Sequence, residues 1–127
     1  MRVNVYVSDD AAIMRKAIRS LLSNREDISV VGEASDFLEI INKTSELHPD
    51  LIILDLNLSD RIHVPLIKAK GLLNGAKVLA ITLGTDDRTD ELLKSVGAVR
   101  MLYKMNLASE LIPAILELAP ARTMQPG

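Results

Sequence analysis

Apolar and polar positions alternate at the start of the chain: Val3, Val5 and Val7 are separated by Asn4 and Tyr6, and the run ends in Ser8-Asp9-Asp10. A two-residue period rich in β-branched side chains predicts a strand that opens into an acidic loop. The period then changes. Ile13, Ala17, Ile18, Leu21 and Leu22 recur at helical spacing, with Arg15, Lys16 and Arg19 on the other face, which predicts an amphipathic helix. Residues 28–31 form a second short β-rich run, and Gly32-Glu33-Ala34 is expected to lead into a helix over 36–47. His48-Pro49 stops that helix, because a residue before proline avoids the α region.

Leu51-Ile52-Ile53-Leu54 is a continuous apolar run, the mark of a strand covered on both faces. A helix over 65–73, which Gly71 and Gly75 help to end, a strand over 78–81 and a helix over 87–96 follow, with Gly97 as the expected C-cap. A last strand over 99–103 and helix over 107–118 complete a domain of residues 1–119, and 120–127 reads as a frayed tail or truncated linker. Five strand–helix units in succession predict an α/β fold, a doubly wound parallel sheet with helices on both faces. Ligands of such sheets bind outside the carboxyl ends of the strands, where the strand order reverses.

Composition narrows the function. Hydrophobic residues make up 48% and charged residues 25%, enough for a packed core. The net charge of −2 offers no basic field for nucleic acid or anionic lipid, so no direct nucleic-acid contact is expected. Tyr6, Phe37 and Tyr103 are too sparse for base stacking. The absence of cysteine removes disulfides and thiolate chemistry. No apolar run is long enough for a membrane span and the first residues lack a secretory stretch, so the expected location is the cytoplasm. His48 and His63 have no ligand partner at helical or hairpin spacing, and Gly71, Gly75 and Gly84 form no phosphate-cradling motif.

The predicted strand ends carry the chemistry. Asp9 and Asp10 follow the first strand, Asp55 the third, Thr82 the fourth and Lys104 the fifth. Taken singly, Asp9-Asp10 could cap a helix, and Asp55 could be a solvated loop acid. Together they put three carboxylates, a hydroxyl and an ammonium on one rim. Clustered carboxylates repel one another without a cation, and a hard divalent ion such as Mg²⁺ suits them, keeping positions for water and phosphate oxygens. A carboxylate beside such an ion can attack phosphorus, with lysine and threonine neutralising and binding the phosphoryl oxygens.

Val5-Tyr6-Val7-Ser8-Asp9-Asp10, Pro49-Asp50-Leu51-Ile52-Ile53-Leu54-Asp55-Leu56-Asn57, Val78-Leu79-Ala80-Ile81-Thr82, and Gly97-Ala98 with Lys104 resemble the receiver domain of two-component response regulators over residues 2–118. The resemblance implies a flavodoxin-like (βα)5 sheet of strand order 2-1-3-4-5. It also implies that Asp10, helped by Asp9, holds Mg²⁺ or Mn²⁺, and that the carbonyl of Asn57 completes the protein's ligands. Asp55 would accept a phosphoryl group from a sensor histidine kinase, and Thr82 and Lys104 would bind its oxygens. A receiver is no enzyme beyond self-catalysed phosphotransfer and autodephosphorylation. Its switched face, made by the helix over 87–96, the strand over 99–103 and the helix over 107–118, could also pair two copies. Val31-Gly32-Glu33-Ala34-Ser35-Asp36 is similar to regulators with a LuxR-type DNA-binding output. The chain is then either the front part of such a regulator or a stand-alone receiver.

Some positions depart from that pattern. Ser59 replaces a usual proline, and Asp60-Arg61-Ile62-His63 replaces a commonly Gly-containing turn. Leu83 replaces a small residue after Thr82, which is expected to crowd the site and slow phosphotransfer or dephosphorylation. Met101 replaces a switching aromatic, with Tyr103 two residues on along the same strand face. Met105 replaces a proline after Lys104, so a cis peptide is not expected there. Pro113 inside the last helix predicts a kink or a late start.

Overall fold

Residues 2–57 and 75–120 are described by the computed structural model, and the expectations for the helix over 65–73, Ser59, residues 60–63 and the tail over 121–127 lie outside them. Strands β1 (Val3–Ser8), β2 (Ile28–Ala34), β3 (Leu51–Asp55), β4 (Lys77–Thr82) and β5 (Ala98–Tyr103) form one sheet in the order β2-β1-β3-β4-β5. Every pairing is parallel. The described helices are α1 (Ala12–Leu22), α2 (Phe37–Leu47), α3 (Thr89–Val96) and α4 (Leu107–Leu118), the last preceded by a 3-10 turn, Lys104–Asn106.

The two-residue period of the strands decides which layer each side chain joins. Val3, Val5, Val7, Leu51, Ile53, Leu79 and Ile81 pack with Ile18 and Leu22 of α1 and Leu111 and Ile115 of α4. Tyr6, Ile52, Leu54, Val78 and Ala80 face the opposite way, toward Phe37 and Ile40 of α2 and Val96 of α3. β3 is buried along its whole length, as its unbroken apolar run requires. Burial of each of its aliphatic side chains stabilises by about 1.5–3 kcal/mol, so truncating Ile53 to alanine should cost about 2–5 kcal/mol.

Local signals place the helix ends. Asp36 caps α2 by accepting from the Glu39 N–H at 2.8 Å. His48 ends α2 in the left-handed conformation at φ 46°, directly before Pro49. Gly97 ends α3 at φ 69°, where glycine carries no Cβ penalty.

Three expectations change. β2 does not end at Val31 but runs to Ala34, because the pairing with β1 shifts register between Val5 and Tyr6 and resumes at Tyr6–Gly32. Gly32 therefore serves close approach and no turn: a Cβ there would stand 2.9 Å from Tyr6 Cε2 and 3.0 Å from Leu47 Cδ1. The helix expected from residue 87 starts at Thr89, where the Thr89 hydroxyl accepts from the Asp86 N–H at 2.9 Å and turns the chain first. Pro113 causes no late start. α4 begins at Leu107 and runs through it, and the ring lies on the exposed face, where its missing N–H leaves a carbonyl that water can reach.

Candidate functional site

The strand order reverses between β1 and β3, which neighbour each other although β2 lies between them in sequence. A crevice forms at the carboxyl ends of such strands, and the charged residues of the rim gather there. Asp9 follows β1, its N–H bonded to the Ala34 carbonyl at 3.1 Å. Asp55 is the last residue of β3. Both are 0% exposed.

Lys104 joins them. Its Nζ lies 2.6 Å from Asp9 Oδ2 and 3.2 Å from Asp55 Oδ1. Asp9 Oδ1 accepts from the Ala11 N–H at 2.9 Å, and Asp55 Oδ1 accepts from the Asn57 N–H at 2.9 Å. Asp55 Oδ2 is buried with no hydrogen-bond partner among the described residues. Asp10 is exposed. Carboxylate oxygens of Asp9, Asp10 and Asp55 nevertheless lie within 4.8 Å of one another. The cap reading of Asp9 does not hold: Ala11 is the N-cap of α1 and no side chain caps it, so Asp9 Oδ1 turns the loop at Ala11 while Oδ2 pairs with Lys104.

Burial pushes the Asp55 carboxyl above its ordinary pKa; the Asn57 N–H opposes this, Asp9 adds to it, and Lys104 opposes it. For Lys104, burial alone would lower the ammonium, but Asp9 and Asp55 outweigh it and raise it. Lys104 is therefore held in its charged form, while burial works against the charge of Asp55.

Thr82 lies on the same rim but not against Asp55. Its Oγ1 lies 2.6 Å from the Gly84 carbonyl and 3.2 Å from Asn57 Oδ1 and shares its proton between them. The Leu83 N–H also donates to Asn57 Oδ1, at 3.4 Å. β4 ends at Thr82, and the Leu83 side chain that follows is 72% exposed. Met101 is half-buried against the core on the α2–α3 side.

Some polar contacts were not anticipated from the sequence. Arg15, placed by periodicity on the polar face of α1, donates to the Asp9 carbonyl at 2.7 Å through Nη1 and to Glu33 Oε1 at 2.9 Å through Nε. Arg19 holds the other Glu33 oxygen at 3.0 Å. The four-residue spacing of Arg15 and Arg19 was the available signal, but their acceptor comes from β2, whose extension to Glu33 was not foreseen. The Asn57 side chain was also missed as a tie between β3 and β4.

No helix among the described residues is long and apolar enough to cross a membrane. The sequence pattern of the response regulator receiver domain matches residues 5–116. The chain is 34% identical over 116 residues to the response regulator protein VraR of Staphylococcus epidermidis, covering 91% of this chain and 56% of that protein. It is 38% identical over 83 residues to a protein-glutamate methylesterase/protein-glutamine glutaminase of Methanosarcina acetivorans, covering 65% of this chain but only 23% of that one. Among solved structures, the response regulator domain of Thermotoga maritima CheB superposes with a TM-score of 0.78 at 26% identity, covering 100% of both chains. This chain, a parallel sheet of order 2-1-3-4-5 with an acidic rim, belongs to the response regulator receiver domain family of two-component systems.

Proposed function

We propose that Asp55 accepts a phosphoryl group from a phosphohistidine of a sensor histidine kinase, in a reaction dependent on Mg²⁺, with Mn²⁺ able to take the same ligands. Asp9, Asp10 and Asp55 would hold the ion with the Asn57 backbone carbonyl. The observation that carries this reading is Asp55 Oδ2, a buried carboxylate oxygen without a hydrogen-bond partner among the described residues, beside two further carboxylates and Lys104. The set fits a hard divalent ion, which accepts few carboxylates and tolerates open positions. Bound there, Mg²⁺ would supply positive charge against the phosphoryl oxygens.

The chain's own groups do the remaining work. The Asn57 N–H and Lys104 hold Asp55 Oδ1, leaving Oδ2 to form the new O–P bond. The P–N bond of the donor breaks, and its electron pair returns to the imidazole ring, which takes up a proton. Lys104 then neutralises a phosphoryl oxygen as a compact point charge. Thr82 must release the Gly84 carbonyl to donate to another, so loading the site pulls on residues 83–88 and on α3. Asp55 is fully covered, so the donor reaches it only when the rim opens.

The receiver extends over residues 1–119 in this reading and works in the cytoplasm, with a pairing face on α3, β5 and α4 and a LuxR-type output following it. The chain spans 56% of the VraR regulator and 23% of the methylesterase, so the output is part of the proposal. Intact mass after incubation with acetyl phosphate and Mg²⁺ tests it. A single phosphoryl adduct is expected on the wild-type chain and none on Asp55→Asn. An adduct that survives Asp55→Asn would put the phosphoryl group on another residue, and partner binding that ignores both phosphorylation and Asp55→Asn would instead make the domain an unswitched interaction module.

A further inference from the structure

We infer that Arg15 is a positioning residue for the cation site, aiming Asp9 and Asp10 through the backbone between them; this rests on the metal reading above. Asp9 and Asp55 each have a side-chain anchor, the Ala11 N–H and the Asn57 N–H respectively, and both contact Lys104. Asp10 is exposed and has no side-chain hydrogen bond or ion pair among the described residues. What orients it is its backbone. The Asp9 carbonyl and the Asp10 N and Cα share one peptide plane, so holding that oxygen sets where the Asp10 side chain begins.

Arg15 holds it. Nη1 donates to the Asp9 carbonyl at 2.7 Å while Nε is fixed by Glu33 Oε1 at 2.9 Å. The side chain is 17% exposed. Glu33 is itself gripped by Arg19 at 3.0 Å and sits in β2, whose next residue accepts the Asp9 N–H at 3.1 Å. The Asp9 backbone is thus held on both sides by groups tied to one strand. A guanidinium fork does this because one planar group can serve two acceptors at fixed geometry.

Charge alone makes the opposite prediction, which permits a decision by sign. Arg15 is a cation near a cation site, so Coulomb repulsion predicts that removing it tightens Mg²⁺ binding. Positioning predicts that removal weakens it, as loss of an outer support around metal ligands commonly does, by about 10–100-fold.

The test is Mg²⁺ titration of the 127-residue chain by calorimetry for wild type, Arg15→Met and Arg15→Lys. Unfolding temperature in chelator is measured alongside to establish that each variant is folded. Arg15→Met is expected to weaken Mg²⁺ binding about tenfold. Arg15→Lys, which keeps the charge but not the fork, should fall between. The Mg²⁺ concentration for half-maximal phosphorylation by acetyl phosphate should rise in step, with the rate at saturating Mg²⁺ largely retained. Unchanged or tighter Mg²⁺ binding by folded Arg15→Met overturns the proposal. If that variant does not fold, Arg15→Lys decides: weaker binding supports the proposal, and wild-type affinity overturns it. A wild-type chain that binds no Mg²⁺ overturns the metal reading itself, a different outcome.

Discussion

Lys104 Nζ stands 2.6 Å from Asp9 Oδ2, so the end of β5 is tied to the end of β1 across the carboxyl edge of the sheet, over β3 and β4. The pair is buried, with side-chain exposures of 7% and 0%. A buried ion pair contributes little net stability when intact, but removing one partner strands the other in low dielectric.

Replacing Lys104 by methionine should therefore destabilise the metal-free chain by about 3 kcal/mol, since Asp9 and Asp55 lose their shared cation. Urea unfolding with and without Mg²⁺ measures this. The loss should shrink when Mg²⁺ is added, and a variant as stable as wild type in chelator would count against the pair.

Asp55→Asn removes a buried charge whose pKa is raised mainly by burial. A carboxyl raised in the folded state contributes stability below its unfolded pKa, and that contribution is lost as pH rises through the folded value. The variant escapes this loss. In chelator it should equal wild type near pH 3 and melt at increasingly higher temperature than wild type as pH rises to neutral. Thermal melts across that range are decisive; a constant gap would mean that ionisation of Asp55 is not the cause.

Tyr6 is raised to about 12, first by burial and then by Glu39, Asp36 and Glu33. Its raised pKa gives stability that is complete below pH ~10 and lost as pH climbs through the folded value near 12, about 2–3 kcal/mol in all. Alkaline unfolding followed by phenolate absorbance should show Tyr6 ionising with unfolding. Tyr6→Phe should flatten that decline while losing, at neutral pH, about 1 kcal/mol for the bond to the Glu33 carbonyl.

Gly32→Ala places a methyl group 2.9 Å from the Tyr6 ring and 3.0 Å from Leu47. Overpacking of this kind costs about 1–3 kcal/mol. Denaturant midpoints test it, and the double variant with Leu47→Ala should recover part of the loss because one of the two neighbours is then shortened.

The alternation of periods made most of the architecture readable in advance. The unbroken Leu51-Ile52-Ile53-Leu54 run identified the central strand, and the helix over 107–118 matches α4 to the residue. The candidate side chains were readable too, because strand ends in a parallel sheet point to one edge and Asp9, Asp55, Thr82 and Lys104 each terminate a strand or follow one. Gly32 misled, since a glycine after four β-rich residues has the same local signature whether it turns the chain or lets another side chain pass over it.

What the sequence by itself determined is therefore the order of elements, the layer each strand residue joins and the chemical kinds of group on the rim, all set by local periodicity and strand termini. Only the tertiary structure decided which of those groups touch: Lys104 on Asp9 and Asp55, Thr82 on Gly84 and Asn57, and Arg15 on both the Asp9 carbonyl and Glu33. Those contacts join elements distant in sequence, and their partners depend on sheet register and on side-chain reach, which no local pattern encodes.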